Sequence, residues 1–346
     1  MDLKTTLPKP DPPVAVEALT ALIARTQLAS GAIPWSPGQK TDPWDHVESA
    51  MGLTIGGDTQ GALRAYEWMA RMQLEDGSWY AAYRDEEPED RTRDANLSAY
   101  VAVGVCHYVL VTGDLDFASR MWPVVRRALD FALALQTPEG PIQWAISPEG
   151  RVDPMALLTG SSSIFMSLKC ARWLATRLGR VLPEWEARQE LLAEAIRSRR
   201  HLFNMTKSRF SMDWFYPVLA GALTGAEARR RIDKYWKKFV IEGQGVRCVF
   251  DQPWVTVAET CELVLALAAM GSREMARIVF GWIGDKRHED GSFWCGYTCP
   301  DMVIWPEEKI TWTNAVVLLA ADALYHLTPA SRLFDHAFWA SAGPNR

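Results

Sequence analysis

The chain has 346 residues, 48% hydrophobic and 23% charged, a balance that fits a globular protein and excludes a disordered or collagen-like polymer. Its 37 basic and 42 acidic side chains give a formal net charge of −5, and no basic block forms a footprint for nucleic acid. The length admits one large domain or two ordinary ones.

Residues 1–13 read as a polar, proline-rich extension, without the charged-then-apolar pattern of a signal peptide. After it, two kinds of segment alternate. Residues 14–29 carry charges on one side, and residues 44–57 are apolar almost all round. The couple recurs as 60–73 with 94–113, 116–136 with 160–179, 184–202 with 213–225, 226–240 with 256–271, and 272–284 with 311–327. The first member of each couple has apolar residues at three- and four-residue steps, the mark of an amphipathic surface helix. The second opens on polar residues and in five cases ends at glycine, the boundary signals of a helix. A helix apolar on nearly every face must be covered on nearly every face.

Six such hairpins, with a period of about 50 residues, predict an all-α (α/α)6 toroid: an inner ring of buried helices, an outer ring of amphipathic ones, and a central funnel. Long β segments are missing and the composition never splits into halves, so one catalytic domain is expected over the whole chain. No apolar run approaches the roughly 18 residues of a membrane helix, and the six cysteines form no CxxC pair, so a cytoplasmic protein without disulfides or membrane partner is expected. Oligomeric state is not readable.

Glycine and aromatic residues recur in the loops: Gln27 with Gly31 and Trp35, Gln73 with Gly77 and Trp79, Gln136 with Gly140 and Trp144, and Asp290-Gly-Ser-Phe-Trp294. Each loop precedes an inner helix, which gathers the inner N-termini on one face. Their unsatisfied N–H groups and polar side chains converge at the funnel mouth. The candidates there are Asp42, Trp44, Asp45, His46 and Glu48; Arg93, Asp94 and Asn96; Ser161 to Ser163; Asp213, Trp214 and Tyr216; Asp251, Trp254 and Glu259; and Trp305, Glu307, Thr311, Trp312 and Asn314. Carboxylates beside indoles suit sugar rings, which offer apolar C–H faces and a rim of hydroxyls.

Cleaving a glycosidic bond takes two carboxyl groups. Asp45 starts the first inner helix and Glu259 the fifth, second neighbours in a closed ring, about 10 Å apart on helix-packing distances, with room for a water. This favours inversion. An Asp at a helix start is often only a cap, and Asp94 or Asp213 could cap, bind hydroxyls or replace Asp45 in the pair. Glu262 competes with Glu259, and His46 is a candidate proton carrier or hydrogen-bonding neighbour. No metal or other cofactor is expected: Cys295, Cys299 and His288 lack recognised zinc spacing, and no phosphate-loop, dinucleotide, GxSxG or HExxH motif occurs.

The Gln…Asp-Gly-Ser-Trp loops resemble the QW repeats of squalene-hopene cyclases and of the prenyltransferase β-subunit toroid. The chain nevertheless lacks the DxDD motif of those cyclases, and His326 lies at the far end of its helix from where a prenyltransferase zinc ligand would stand. Segments 42–48, 91–96, 211–217 and 254–262 resemble instead the methylmannose polysaccharide hydrolases, six-hairpin glycoside hydrolases that act as cytosolic α-(1→4)-endomannosidases. That resemblance implies an endo-acting hydrolase of a partly methylated polysaccharide with its carboxylates at Asp45 and Glu259. The alternatives are a cyclase-like enzyme, which predicts an apolar cavity deep in the ring, and a carbohydrate-binding toroid without catalysis.

Overall fold

The computed structural model describes residues 13–341, so nearly all of the expected proline-rich extension lies outside the described residues. The chain runs alternately outside and inside: α1 (Val16–Thr26), α2 (Pro43–Ile55), α3 (Thr59–Met72), α4 (Ala95–Ala99) continued after Tyr100 by α5 (Val101–Thr112), α6 (Leu115–Ala134), α7 (Leu158–Arg177), α8 (Pro183–Ser198), α9 (Ser211–Leu219), α10 (Gly225–Phe239), α11 (Val257–Ala269), α12 (Arg273–Gly281), α13 (Thr311–Tyr325), and finally α14 (His336–Ser341). The inner helices pack in order α2, α5, α7, α9, α11, α13, and α13 returns to α2, which closes the ring. The outer helices lie against it: α1 on α2 and α13, α3 on α2, α6 on α5 and α7, α8 on α7, α10 on α9, and α12 on α11 and α13. The fold is the expected (α/α)6 toroid.

Burial follows the sequence pattern. Every residue of α11 is buried, whereas α10 buries only Ala228, Ile232 and Phe239. Residues 95–112 are long and apolar enough to cross a membrane, contrary to the expectation that no run reaches that length; 78% of the stretch is buried, as an inner helix requires. The fourth inner helix stops at Leu219 instead of continuing to 225, because Gly221 turns the chain at φ 75°.

Short strands connect the helices on the funnel side. β1 (Ala82–Arg84) pairs with β2 (Glu87–Asp90), and β3 (Arg93–Asp94) with β4 (Ala145–Ile146). β5 (Val240–Ile241), β6 (Gly245–Arg247), β7 (Trp254–Thr256) and β8 (Gly296–Thr298) form one antiparallel sheet that leads into α11.

The Gln…Gly loops are staples between repeats. The amide of Gln27 donates to the carbonyls of Gly31 and Gly61, that of Gln73 to Gly77 and Val124, and that of Gln136 to Gly140 and Arg188. An arginine on the next outer helix donates back to each glutamine: Arg64, Arg127 and Arg188. Each glycine takes a positive φ and lies against outer-helix backbone. A Cβ at Gly77, where φ is 92°, would collide with the Arg127 carbonyl. Gly77→Ala is therefore expected to destabilise the fold by about 2 kcal/mol or more, measured by urea unfolding.

Candidate active site

The ring places equivalent positions of each inner helix at the same depth. The third residue of α2, α9 and α11 is Asp45, Asp213 and Glu259, at the mouth. One turn deeper, the sixth residues of α2, α9 and α11 are Glu48, Tyr216 and Glu262; Tyr100, the residue after α4, stands at the same level. Side chains three apart share a helix face, so the mouth carboxyls lie above the deeper groups.

A cleft of about 420 Å³ opens at the mouth, lined by Trp35, Lys40, Asp42, Trp44, Asp45, Glu89, Asp90, Asp94 and Trp144 among others. A smaller one, of about 130 Å³, shares Trp44, Asp94 and Trp144 with it and reaches Asn96 and Ser161. The space is lined by carboxyls and indoles, which removes the cyclase reading and its apolar cavity. Asp42 is the N-cap of α2: it accepts from the Asp45 N–H at 3.0 Å, and its second oxygen accepts the Trp35 indole at 2.6 Å. Asp45 is left without a capping role. Burial, then the charges of Asp42 and Glu48, hold its carboxyl well above the ordinary range.

Glu48 is a hub. Its Oε1 accepts from the Trp44 indole at 3.0 Å and the Tyr100 hydroxyl at 2.6 Å, and its Oε2 accepts from the Trp312 indole. The two tryptophans are thereby fixed edge-on by their N–H groups while remaining only partly buried. Tyr100 packs tilted against Trp44 at 5.2 Å, and Tyr216 meets Trp44 edge-on at 5.6 Å. Glu48, a predicted substrate ligand, thus orients the ligand-facing rings.

Glu259 is buried at the start of α11 and accepts a hydrogen bond from Thr256 Oγ1. Glu262, one turn deeper, is buried with no hydrogen-bond partner for either oxygen among the described residues. Burial, followed by the charges of Glu48, Glu259 and Asp45, pushes its carboxyl well above the ordinary range. Burial likewise lifts the Cys295 thiol to about 12, helped by Glu259 and Asp45. Asp45 lines the cleft; Glu259 is not among its lining residues and holds the equivalent, third position of α11.

Other predicted residues fall elsewhere. His46 is fully buried with both ring nitrogens engaged: Nδ1 accepts the Ile33 N–H at 3.0 Å and Nε2 faces the Ala65 carbonyl at 2.9 Å. It is the fourth residue of its helix. The fourth residues of three other inner helices, Ser98, Thr260 and Asn314, each accept an N–H from incoming chain in the same way. His46 is a loop anchor, neither proton carrier nor substrate ligand. Burial lowers its pKa to about 4, and that of His107 to about 3. A depressed histidine contributes stability that is complete above its unfolded pKa of about 6.5 and is lost as pH falls through the folded value. Between pH 6.5 and 4, His46 alone should cost about 3 kcal/mol of stability; His46→Gln should flatten that part of the pH–stability curve without lowering kcat of the folded enzyme.

Trp214 is also withdrawn from the funnel, stacked on Phe239 at 5.2 Å with its indole donating to the Arg231 carbonyl. Asp213 accepts from the N–H and hydroxyl of Thr159, a tie between repeats. Asp94 does cap α4, accepting from Asn96 and Leu97; burial, partly offset by those bonds, raises its pKa to about 6. Arg93 pairs with Asp76 at 2.5 Å, and exposed Asp251 with Arg209 at 2.9 Å, so neither has a free charge for substrate. Trp254 donates to the Trp305 carbonyl, and the two rings meet at 5.4 Å with Trp305 63% exposed. Glu307 is exposed. Trp35, Lys40, Glu89, Asp90 and Tyr100 were missing from the predicted site; the first four arrive on loops and on β2, whose positions no helical pattern encodes. Among the described residues no group of three or more His, Cys, Asp or Glu could hold a metal ion.

A cleft lined by carboxyls and indoles on an (α/α)6 ring suits a glycoside hydrolase, and similarity to a curated relative puts the chain in that class. The chain is 50% identical over 312 residues, 90% of its length and 86% of the relative's, to the MMP endo-(1,4)-3-O-methyl-alpha-D-mannosidase of Mycolicibacterium hassiacum (strain DSM 44199 / CIP 105218 / JCM 12690 / 3849). It belongs to that family, the methylmannose polysaccharide hydrolases. No family profile matches the chain. Solved structures share the fold at low identity: a glycosidase in complex with glucose (TM-score 0.65, 17% identity, 90% of this chain and 96% of the other) and a D-mannose isomerase (TM-score 0.68, 12%, 88% and 95%).

Proposed function

We propose that the chain is an intracellular endo-hydrolase of α-(1→4)-mannosidic bonds in a methylmannose polysaccharide, working with inversion through Asp45 as general acid and Glu259 as general base. The observation that supports the pair is their equivalent placement, third on the second-neighbour inner helices α2 and α11, which α13 joins in the closed ring. A raised carboxyl suits an acid that must hold its proton until the leaving oxygen takes it. Glu259, fixed by Thr256, takes a proton from water as that water attacks the anomeric carbon. The glycosidic C–O bond breaks, the leaving oxygen keeps the Asp45 proton, and exchange with solvent resets both carboxyls.

The partly buried faces of Trp44 and Trp312, with Trp144 opposite in the cleft, offer apolar surface to C–H faces and to O-methyl groups. The similarity at 50% identity supports the substrate class, and six free thiols suit a reducing compartment. Proton NMR of the first turnover on methylmannose oligosaccharides tests the reading. Release of the β-anomer from internal cleavage is expected. Release of the α-anomer, or of single terminal residues, or no cleavage at all, would overturn inversion, endo action or the substrate class respectively.

A further inference from the structure

A second pocket, of about 160 Å³, shares no lining residue with the hydrolytic cleft and lies between the 3-10 turns at Arg200–Leu202 and Met205–Arg209, the start of α9, and α10. Three cationic side chains, Arg200, Arg231 and Lys238, line it with Ser208 and Tyr235, against the single carboxylate of Asp213. Gathering like charges is unfavourable without a counter-charge, and here it occurs in a chain whose net charge is −5.

The protein's own groups compensate the excess only in part: Asp213 faces Arg200 and Arg231, and Asp251 acts on Lys238. Arg231 donates only to neutral backbone carbonyls, those of Trp214 at 2.7 Å and Asp213 at 2.5 Å. Lys238 reaches the Ser208 carbonyl at 3.5 Å and otherwise lies over the Phe250 ring at 4.0 Å. The buried Nε of Arg200 has no hydrogen-bond partner among the described residues, an orphaned donor on an ionised group. Asp213 already accepts two bonds from Thr159. The crowding is visible in the titration of the lining: burial, followed by the Arg200 charge, lowers Arg231 to about 10. Tyr235 is pulled below its ordinary value: burial opposes, and hydrogen bonds from Arg200 and Lys234, followed by their charges, prevail.

We propose that this pocket binds a tetrahedral oxyanion, phosphate or sulfate, held by Arg200, Arg231 and Lys238. Its volume of about 160 Å³ accommodates one such ion. Guanidinium forks match the oxygen geometry, and the lysine adds a point charge. The site is independent of the hydrolytic reading, since none of its three cations lines the cleft that holds Asp45.

Isothermal titration of the full chain with inorganic phosphate and with sulfate, against chloride at matched ionic strength, tests it. One saturable ion per chain is expected, with affinity about tenfold weaker in Arg200→Gln and in Lys238→Gln, the loss of one charge-assisted bond. Ser208→Asp, which puts a carboxylate on the pocket wall, should abolish binding and does not depend on either cationic variant folding. No saturation above the chloride control, or parental affinity in every folded variant, overturns the proposal.

Discussion

Asp45→Asn and Glu259→Gln are each expected to lower kcat roughly a thousandfold while the protein stays folded, because each removes a proton-transfer group and keeps the side-chain shape. Circular dichroism and steady-state hydrolysis of methylmannose oligosaccharides check both halves. The double variant should lose little more than either single one, since acid and base act as a unit. The pH profile adds an independent arm. On the proposed mechanism Asp45 must be protonated to act, so kcat/KM is expected to fall as pH rises through its pKa, which stands above the ordinary carboxyl range. The Asp42 charge is the largest electrostatic contribution to that elevation. Asp42→Asn keeps a good N-cap but removes the charge, and should move the alkaline limb to lower pH. Full activity in Asp45→Asn would pass the acid role to Asp94, which lines the same cleft with a pKa of about 6.

Glu48→Gln should cost about ten- to a hundredfold in kcat/KM and about 2 kcal/mol of stability, although Gln has nearly the shape of Glu. Glu48 offers acceptors to three donors, the Trp44 and Trp312 indoles and the Tyr100 hydroxyl. An amide has one acceptor oxygen, so its NH2 would meet an indole N–H or leave a buried donor unpaired. At least one tryptophan then loses its fixed orientation. The Glu48 charge also raises Asp45, so the alkaline limb should shift downward as well. Kinetics across pH together with urea unfolding separate this from a purely structural lesion, which would leave the limb in place.

Much of this architecture was legible in the chain. Inner helices such as α11 declare themselves because a helix buried on all sides can carry no solvated face, and outer ones such as α10 because they have a single apolar stripe. Helix boundaries followed where glycine takes positive φ, as at Gly113 after α5, and failed at α9, where Gly221 rather than Gly225 makes the turn. In the site, Asp45, Glu259, Trp44 and Trp312 were legible as residues of helix starts, and the structure puts them in the first turns of α2, α11 and α13. His46 and Trp214 were misread because a helix start presents side chains both to the funnel and to its own incoming loop or outer helix. Residue type does not tell these apart: His46 accepts an N–H as Ser98 and Asn314 do.

The order of amphipathic and apolar helices, their pairing into hairpins and the gathering of carboxyls at one end are local properties, written in periodicity and in capping residues, and the amino-acid sequence alone determined them. Which carboxyl caps, which orients and which remains poised depended on partners distant in the chain. Trp312 reaches Glu48 across 264 positions only because α13 closes the ring onto α2. The Asp45 carboxyl is raised because that closure buries it beside Asp42 and Glu48, and burial is a property of the assembled ring, which no single segment possesses.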